Sequence, residues 1–250
     1  MASVTLAKIR GEFARRGLAG VASAAVGRPV RWLKAYRELD EHRTFVSSRD
    51  LLVYTRSLGS GWFSPWQFDG EICSLLDRVR EIRPRTLLEI GTANGGTLFM
   101  LSRVAAADAL LISLDLPCGE FGGGYPAWRA PLYRRFALPG QRVELLRGDS
   151  HDPAMAEKVR RLLGGQGLDL LFIDGDHTYE GVKRDHDAYG ACVRNGGLIG
   201  FHDIQPIPNE RYGVARFWRE IRGSVNGVEW IASEAQEGCG IGLYVVGSGG

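Results

Sequence analysis

The chain has 250 residues, of which 44% are hydrophobic and 24% are charged, and its formal net charge is +2. This composition is typical of an ordinary globular protein, and a near-neutral charge gives no support for a nucleic-acid-binding domain, which is usually strongly basic. Four cysteines lie far apart without a C-x-x-C pair, and no apolar run reaches the length of a membrane span. These features disfavour a disulfide framework, a structural zinc site and a transmembrane protein, and they predict a cytoplasmic location.

The N-terminal segment is strongly basic. Between Lys8 and Arg37 it holds eight lysines and arginines against a single acid, Glu12. A solvated N-terminal helix is the favoured interpretation, and a basic amphipathic arm that contacts a membrane surface or a partner subunit is the alternative. We expect residues 1–60 to form this arm and a helical cap, residues 61–250 to form the main domain, and the arm to be a candidate contact between copies of the chain.

From Thr86 onward, short apolar runs alternate with helical patterns, which indicates parallel βα units. The predicted strands are Thr86–Ile90, Leu110–Leu114, Arg142–Leu146, Leu168–Ile173, Gly197–Phe201, Val228–Ile231 and Ile241–Val246, and the predicted helices are Thr97–Ala106, Trp128–Phe136, Pro153–Leu163, Tyr179–Val193 and Val214–Ile221. Strands that are apolar along their whole length are buried on both faces. The sequence therefore predicts an α/β fold with a doubly wound, mostly parallel, seven-stranded sheet and helices on both faces.

Ligands of such sheets bind beyond the carboxyl ends of the strands. After the first strand, the run Leu87-Leu-Glu-Ile-Gly-Thr-Ala-Asn-Gly-Gly96 ends a strand and opens a helix. Glycine permits a close approach of the backbone, and the start of a helix offers free N–H groups. The run lacks the G-K-[ST] of a P-loop and does not have the G-x-G-x-x-G spacing of dinucleotide sites. It therefore predicts a different nucleoside-type cofactor.

Three acids near the strand ends refine this prediction. Glu89 disfavours a pyrophosphate, because like charges repel, and suits a ligand with cationic or hydroxyl groups. Asp115 follows Gly91 by 24 residues and is placed to accept hydrogen bonds from ribose hydroxyls. Asp149, after the third strand, could accept a hydrogen bond from an adenine amine, while capping of the next helix by Asp149 and Ser150 is the structural alternative.

A second group of polar residues follows the fourth and fifth strands: Asp174, Asp176, His177, His202 and Asp203. Carboxylates together with imidazole suit Mg²⁺ or another divalent ion, which would activate a substrate hydroxyl. Alternatively, His177 or His202 acts as a general base without a metal. Capping of a helix by Asp176 and burial of His202 as a core histidine are the structural alternatives.

The run Glu89–Gly95, the acid Asp115 and Gly148–Ser150 resemble the class I S-adenosylmethionine-dependent methyltransferases. The run Ile173–Glu180 is similar to a bacterial subgroup that includes cephalosporin hydroxylase-like proteins and the macrolide- and aminocoumarin-sugar O-methyltransferases. The resemblance covers about residues 60–246. It implies a Rossmann-like sheet with an antiparallel last strand, and it assigns residues 61–250 to S-adenosylmethionine binding.

The residues and the resemblance together give expected roles for single residues. The expected cofactor-binding residues are Gln67, Glu89, Gly91, Thr92, Ala93, Gly95, Asp115, Leu116, Gly148, Asp149, Ser150 and Asp174. The expected catalytic residues are Asp174, His177 and His202, and the expected metal ligands are Asp174, Asp203 and Asp176. His202 stands where the sugar enzymes have an acid, so this histidine is a candidate for ligand, base or neither.

The leading hypothesis is an O-methyltransferase that acts on a hydroxyl of a small molecule, a sugar or a natural-product scaffold. The aromatic loop Gly61–Phe68 and the insertion Leu116–Arg129 are expected to form a lid and an acceptor pocket, with Arg211–Arg219 beside them. Core packing of Tyr125 and Trp128 is the alternative for these aromatics. A hydroxylase-like oxidative enzyme and a non-catalytic, cofactor-binding partner subunit are the competing functions.

Overall fold

The computed structural model describes residues 29–119, 121, 123–233 and 236–247. The strands are β1 (Thr86–Ile90), β2 (Leu110–Asp115), β3 (Arg142–Arg147), β4 (Leu168–Ile173), β5 (Val193–His202), β6 (Gly227–Trp230) and β7 (Ile241–Val245). The helices are α1, described over residues 29–39, α2 (Ser48–Ser57), α3 (Asp69–Ile82), α4 (Gly96–Val104), α5 (Ala130–Arg134), α6 (Pro153–Leu163), α7 (Tyr179–Gly190) and α8 (Val214–Ile221). Residues 1–28, which hold most of the predicted basic arm, lie outside the described residues.

The strands form one sheet in the order β3-β2-β1-β4-β5-β7-β6. All neighbouring pairs from β3 to β5 are parallel, whereas β7 runs antiparallel to both β5 and β6. The chain winds outward in two directions from the β1–β4 pair, which is the position where ligands bind in doubly wound sheets. The predicted Rossmann-like sheet with an antiparallel last strand is therefore confirmed.

Both faces of the sheet are covered by helices. Leu87 packs with α1 to α5 in one core, and its neighbour Leu88 packs with α6, α7 and α8 in the other, because alternate side chains of a strand point to opposite faces. The N-terminal helices predicted as a cap share the first core with α4, and Leu51 and Leu52 of α2 are fully buried there. None of the helices in the described part of the chain has the length and apolar character needed to cross a membrane.

Local sequence determines most element boundaries. Helix α6 spans the predicted residues because the Asp152 side chain accepts from Ala154 N at its start and Gly164 adopts the left-handed conformation at its end. Most other predicted limits differ from the structure by one or two residues, and two regions differ more. The helix expected to continue to Val193 ends at Gly190, because Val193 pairs with Leu168 and begins β5 before the predicted start. The helix predicted over 128–136 is a 3₁₀ turn followed by the five-residue α5.

Candidate active site

A cavity of about 500 Å³ lies at the carboxyl ends of the parallel strands. This volume is within the usual range for a small-molecule site. The predicted residues on its wall are Gly91, Ala93, Asp115, Leu116, Gly148, Asp149, Ser150, Asp174, Asp176, His177, His202 and Asp203. The loops after β1 to β5 thus meet at one site, as the sequence predicts.

The glycine loop after β1 is shaped by close packing of the chain on itself. Gly91 has φ +92°, and a Cβ atom added there would lie 2.0 Å from the Asp174 carbonyl oxygen at the end of β4. Gly95 has φ +80°, and its Cβ would lie 2.9 Å from the Tyr133 ring. Left-handed backbone and tight contacts both require glycine at these positions. Gly91 lines the cavity, whereas Gly95 packs behind its wall.

Four of the expected cofactor residues, Gln67, Glu89, Thr92 and Gly95, are not on the cavity wall. Glu89 is 1% exposed, and its Oε2 has no hydrogen-bond partner among the described residues. Burial raises the pKa of Glu89 to about 8, although a hydrogen bond from Thr92 opposes the rise. The carboxyl is therefore neutral at pH 7, which corrects the expectation of a charged group that repels a pyrophosphate.

Asp115, the acid expected at the ribose, is largely buried by the insertion that follows it. Its carboxylate accepts hydrogen bonds from Gly124 N at 3.3 Å and Tyr125 N at 3.0 Å. Burial raises the pKa of Asp115, and these backbone hydrogen bonds limit the rise. A carboxylate has about four acceptor positions, so Asp115 keeps capacity for a ligand in the cavity it lines.

The loop after β3 keeps Asp149 at the cavity. Asp149 Oδ1 accepts from His151 N at 2.9 Å, within its own loop. The N-cap of α6 is Asp152, whose side chain accepts from Ala154 N. Capping of α6 by Asp149 or Ser150, the structural alternative, is therefore wrong.

Two imidazole–carboxylate pairs occupy the ends of β4 and β5. His177 Nδ1 lies 2.5 Å from Asp203 Oδ2, and His202 Nδ1 lies 3.0 Å from Asp174 Oδ1. Gln67 Nε2 donates to the other oxygen of Asp174 at 2.9 Å, so Gln67 contacts a residue of the cavity wall without lining the cavity itself. Each imidazole is thereby fixed in orientation by its carboxylate.

The carboxylates hold both imidazoles in a more basic state. Burial lowers the pKa of His177, but the hydrogen bond to Asp203 and the nearby negative charges outweigh it and raise the pKa. Burial also lowers the pKa of His202, but the charge of Asp174 and the hydrogen bond to it outweigh burial and raise this pKa well above its ordinary value. Burial raises the pKa of Asp203, but the hydrogen bond and charges of the two imidazoles lower it overall.

The two histidines differ in access. His202 is 6% exposed and its Nε2 is buried without a hydrogen-bond partner among the described residues. His177 lies under an aromatic cover, with ring centroids 4.9 Å from Phe121 and 5.6 Å from Tyr212. The Nε2 atom of His202 is therefore enclosed, whereas His177 lies against two aromatic rings that line the cavity.

The three carboxylates expected to bind a metal do not form one ligand set. Both oxygens of Asp174 face His202 and Gln67, and both oxygens of Asp203 face His177 and the backbone N–H of Cys239. Asp176 Oδ1 accepts a hydrogen bond from the backbone N–H of Thr178, and Thr178 is the N-cap of α7. In the described part of the chain, His202, Asp203 and Cys239 are the residues whose potential metal-ligand atoms all lie within 4.8 Å of one another. The predicted set does not fit a divalent ion in this arrangement.

Several residues on the cavity wall belong to no sequence motif. Trp66, 59% exposed, comes from the predicted aromatic loop. Phe121 comes from the predicted insertion, and Tyr212 from the segment expected beside it. Ile207 and Cys239 line the cavity from loops that the sequence does not single out. Their position depends on long-range folding.

The aromatics of the insertion divide between core and surface. Tyr125 is buried against Tyr133, with ring centroids 4.5 Å apart. Trp128 remains partly exposed, 5.4 Å from Trp62. Core packing is therefore correct for Tyr125 and wrong for Trp128.

Residues 88–204 match a family described as "Methyltransferase domain". The match covers just under half of the chain and includes every loop that carries a predicted site residue except Gln67. This segment is similar to methyltransferase domains. The resemblance to the class I S-adenosylmethionine-dependent methyltransferases is confirmed for these residues, and the remaining comparisons concern the fold and the relatives of the chain.

Solved structures share this fold. The O-methyltransferase TomG from Streptomyces achromogenes, in complex with SAM, superposes with a TM-score of 0.56 at 16% identity, covering 81% of this chain and 90% of that one. An O-methyltransferase from Bacillus cereus, in complex with SAH, gives 0.54 at 18% identity, covering 82% and 92%. At these identities the similarity shows the fold.

Two curated proteins are similar in sequence. The uncharacterized protein R132 of Acanthamoeba polyphaga mimivirus is 33% identical over 120 residues, which are 48% of this chain and 52% of that protein. The uncharacterized protein y4gI of Sinorhizobium fredii is 27% identical over 157 residues, covering 59% of this chain and 16% of that protein. The chain thus spans about half of the first relative and a small part of the second.

Proposed function

We propose that this protein transfers the methyl group of S-adenosylmethionine to a hydroxyl oxygen of a small molecule, with His177 as the general base. One observation carries the proposal. The His177–Asp203 pair, 2.5 Å apart, lies on the wall of the same cavity as the loops after β1, β2 and β3.

The order of strands supports a direction for the cofactor. Because β3, β2, β1 and β4 are neighbours in that order, Asp149, Asp115 and Gly91 lie along one line of loops that leads to Asp174. Adenine beside Asp149 and ribose beside Asp115 would leave the methionine part at the glycine loop. The sulfonium methyl would then lie near the loops after β4 and β5, where the imidazoles are.

The proposed chemistry needs one proton acceptor. The acceptor hydroxyl gives its proton to His177 Nε2 while its oxygen attacks the methyl carbon, and the carbon–sulfur bond breaks to leave neutral S-adenosylhomocysteine. One positive charge moves from the sulfonium to the imidazole, and Asp203 stabilises the imidazolium that forms. Because the methyl group is already activated, alignment of the two reactants supplies much of the remaining rate.

The acceptor site is proposed beneath the aromatic cover. Trp66, Phe121 and Tyr212 reach the cavity from three separate loops. Flat aromatic faces pack well on the apolar faces of sugars and on other rings. A sugar or natural-product acceptor is also supported by the fold shared with TomG, an enzyme involved in tomaymycin synthesis, and with CalS11, a TDP-rhamnose 3'-O-methyltransferase (TM-score 0.50, 18% identity).

Titration calorimetry tests the cofactor. We expect binding of S-adenosylmethionine and S-adenosylhomocysteine and no binding of NAD. Failure to bind either sulfur nucleoside would overturn the proposed function. With an acceptor found by screening glycosylated and phenolic natural products, His177→Ala should lose turnover and keep cofactor affinity, whereas the exposed control His42→Ala should keep both.

Chelation separates the base mechanism from metal assistance. Turnover that is unchanged after EDTA treatment is expected for an imidazole base. Turnover that disappears with EDTA and returns with Mg²⁺ would assign the activation of the hydroxyl to a metal and contradict the role given to His177.

A further inference from the structure

A third imidazole–carboxylate pair, His151 and Asp185, lies beside the cavity, where the loops after β3 and β4 meet α7. Asp185 of α7 is 0% exposed, and the side chains of Ser150 and His151 favour its ionised form. His151 Nε2 lies 3.4 Å from Asp185 Oδ1 and 3.2 Å from the carbonyl oxygen of Gly181. His151 also lines the cavity beside Asp149. The proposed chemistry uses neither residue of the pair.

A buried carboxylate is costly for the fold unless nearby groups compensate for the lost hydration. Burial raises the pKa of Asp185 to about 6, and the hydrogen bond from the Ser150 side chain opposes the rise. The charged groups that face it are His151 and Asp149 from the loop after β3, and Asp176 from the loop after β4. His151 favours the ionised form, and the two other carboxylates oppose it.

The pair is one of several links between α7 and the loop after β3. Tyr189 of α7 donates a hydrogen bond to Ser150 O at 2.8 Å. The backbone N–H of His151 holds Asp149 Oδ1 at 2.9 Å. Movement of His151 would therefore move Asp149, the carboxylate placed at the proposed adenine position.

We propose that the His151–Asp185 pair positions the loop Gly148–His151 against α7 and thereby sets the affinity for the nucleoside end of the cofactor. This inference rests on the proposed binding of S-adenosylmethionine. Both groups are positioning residues for Asp149, and the methyl transfer itself does not use them.

Asp185→Asn tests the role of the carboxylate, because it removes the charge and keeps the shape. The variant should bind S-adenosylhomocysteine about 10-fold more weakly near neutral pH, the effect of losing one charge-assisted interaction. The loss should be equal for adenosine, which lacks the methionine part. The turnover number at saturating cofactor should stay at the wild-type value.

Thermal stability separates positioning from a structural role. The folded-state pKa of Asp185 is about 6 and exceeds its ordinary value of 3.8. The protonated Asp185 therefore contributes its full stability below pH 3.8, and this contribution is lost as the pH rises through about 6. Asp185→Asn should therefore melt at a higher temperature than wild type near neutral pH, although it binds more weakly. A residue with only a structural role would give a lower melting temperature and unchanged affinity.

Three further variants complete the test. His151→Gln keeps a side-chain N–H donor and should recover part of the affinity that His151→Ala loses. Asp187→Asn, on the same helix but exposed and paired with Lys183, should leave cofactor affinity unchanged. Wild-type affinity in Asp185→Asn would overturn the inference alone. Absence of S-adenosylhomocysteine binding by the wild-type protein would overturn the proposed function and this inference together.

Discussion

Replacement of Glu89 by glutamine should stabilise this protein at high pH. Glu89 is fully buried, one of its oxygens has no hydrogen-bond partner among the described residues, and burial raises its pKa to about 8. The folded state therefore retains a proton that the unfolded chain releases near pH 4.5. Glutamine keeps the shape and cannot ionise.

The size of the effect follows from the two pKa values. A carboxyl whose folded-state pKa is raised contributes stability that is complete below its unfolded pKa and is lost as the pH rises to the folded pKa. The difference between 8 and 4.5, at about 1.4 kcal/mol per pH unit, gives an upper limit of about 5 kcal/mol above pH 8. At pH 7 the same calculation gives about 3 kcal/mol.

Urea unfolding at a series of pH values measures this difference. Glu89→Gln and wild type should differ by at most about 1 kcal/mol near pH 5, and the variant should gain steadily toward pH 9. Glu71→Gln is the matched control, because Glu71 is equally buried but accepts hydrogen bonds from Ala232 N, Gly240 N and Gln236 Nε2. It should destabilise the protein even at high pH. A constant difference between Glu89→Gln and wild type across the pH range would refute the buried, protonated carboxyl.

Three further predictions concern the site. Asp203→Asn should lower turnover by about 100-fold. Because Asp203 raises the pKa of His177, the substitution should also move the rising limb of the pH–rate profile to lower pH. An unmoved limb would contradict the pairing of His177 with Asp203. Gly91→Ala should destabilise the fold by about 3 kcal/mol or more in urea unfolding, because its Cβ meets backbone at 2.0 Å, whereas Gly164→Ala, left-handed but with open space around it, should cost about 1 kcal/mol. Trp66→Ala should raise KM for the acceptor and leave the Kd of S-adenosylhomocysteine unchanged; equal losses in both would place Trp66 at the cofactor instead.

The sequence by itself determined the sheet and the position of the site along the chain. Strands β1 and β4 and helix α6 have the predicted limits, since apolar runs, caps and glycine ends act within a few residues. Because parallel strands end at one edge of the sheet, the order of the strands along the chain places the residues after them at one cavity.

Only the tertiary structure decided how those residues pair and which are charged. His177 binds Asp203 across 26 positions and His202 binds Asp174 across 28, and no local pattern specifies such partners. The proton on Glu89 likewise depends on burial by segments distant in the chain, because desolvation is set by all the neighbours that exclude water. Hydrophobic period and turn chemistry are local properties, whereas side-chain partners and pKa values are properties of the assembled fold.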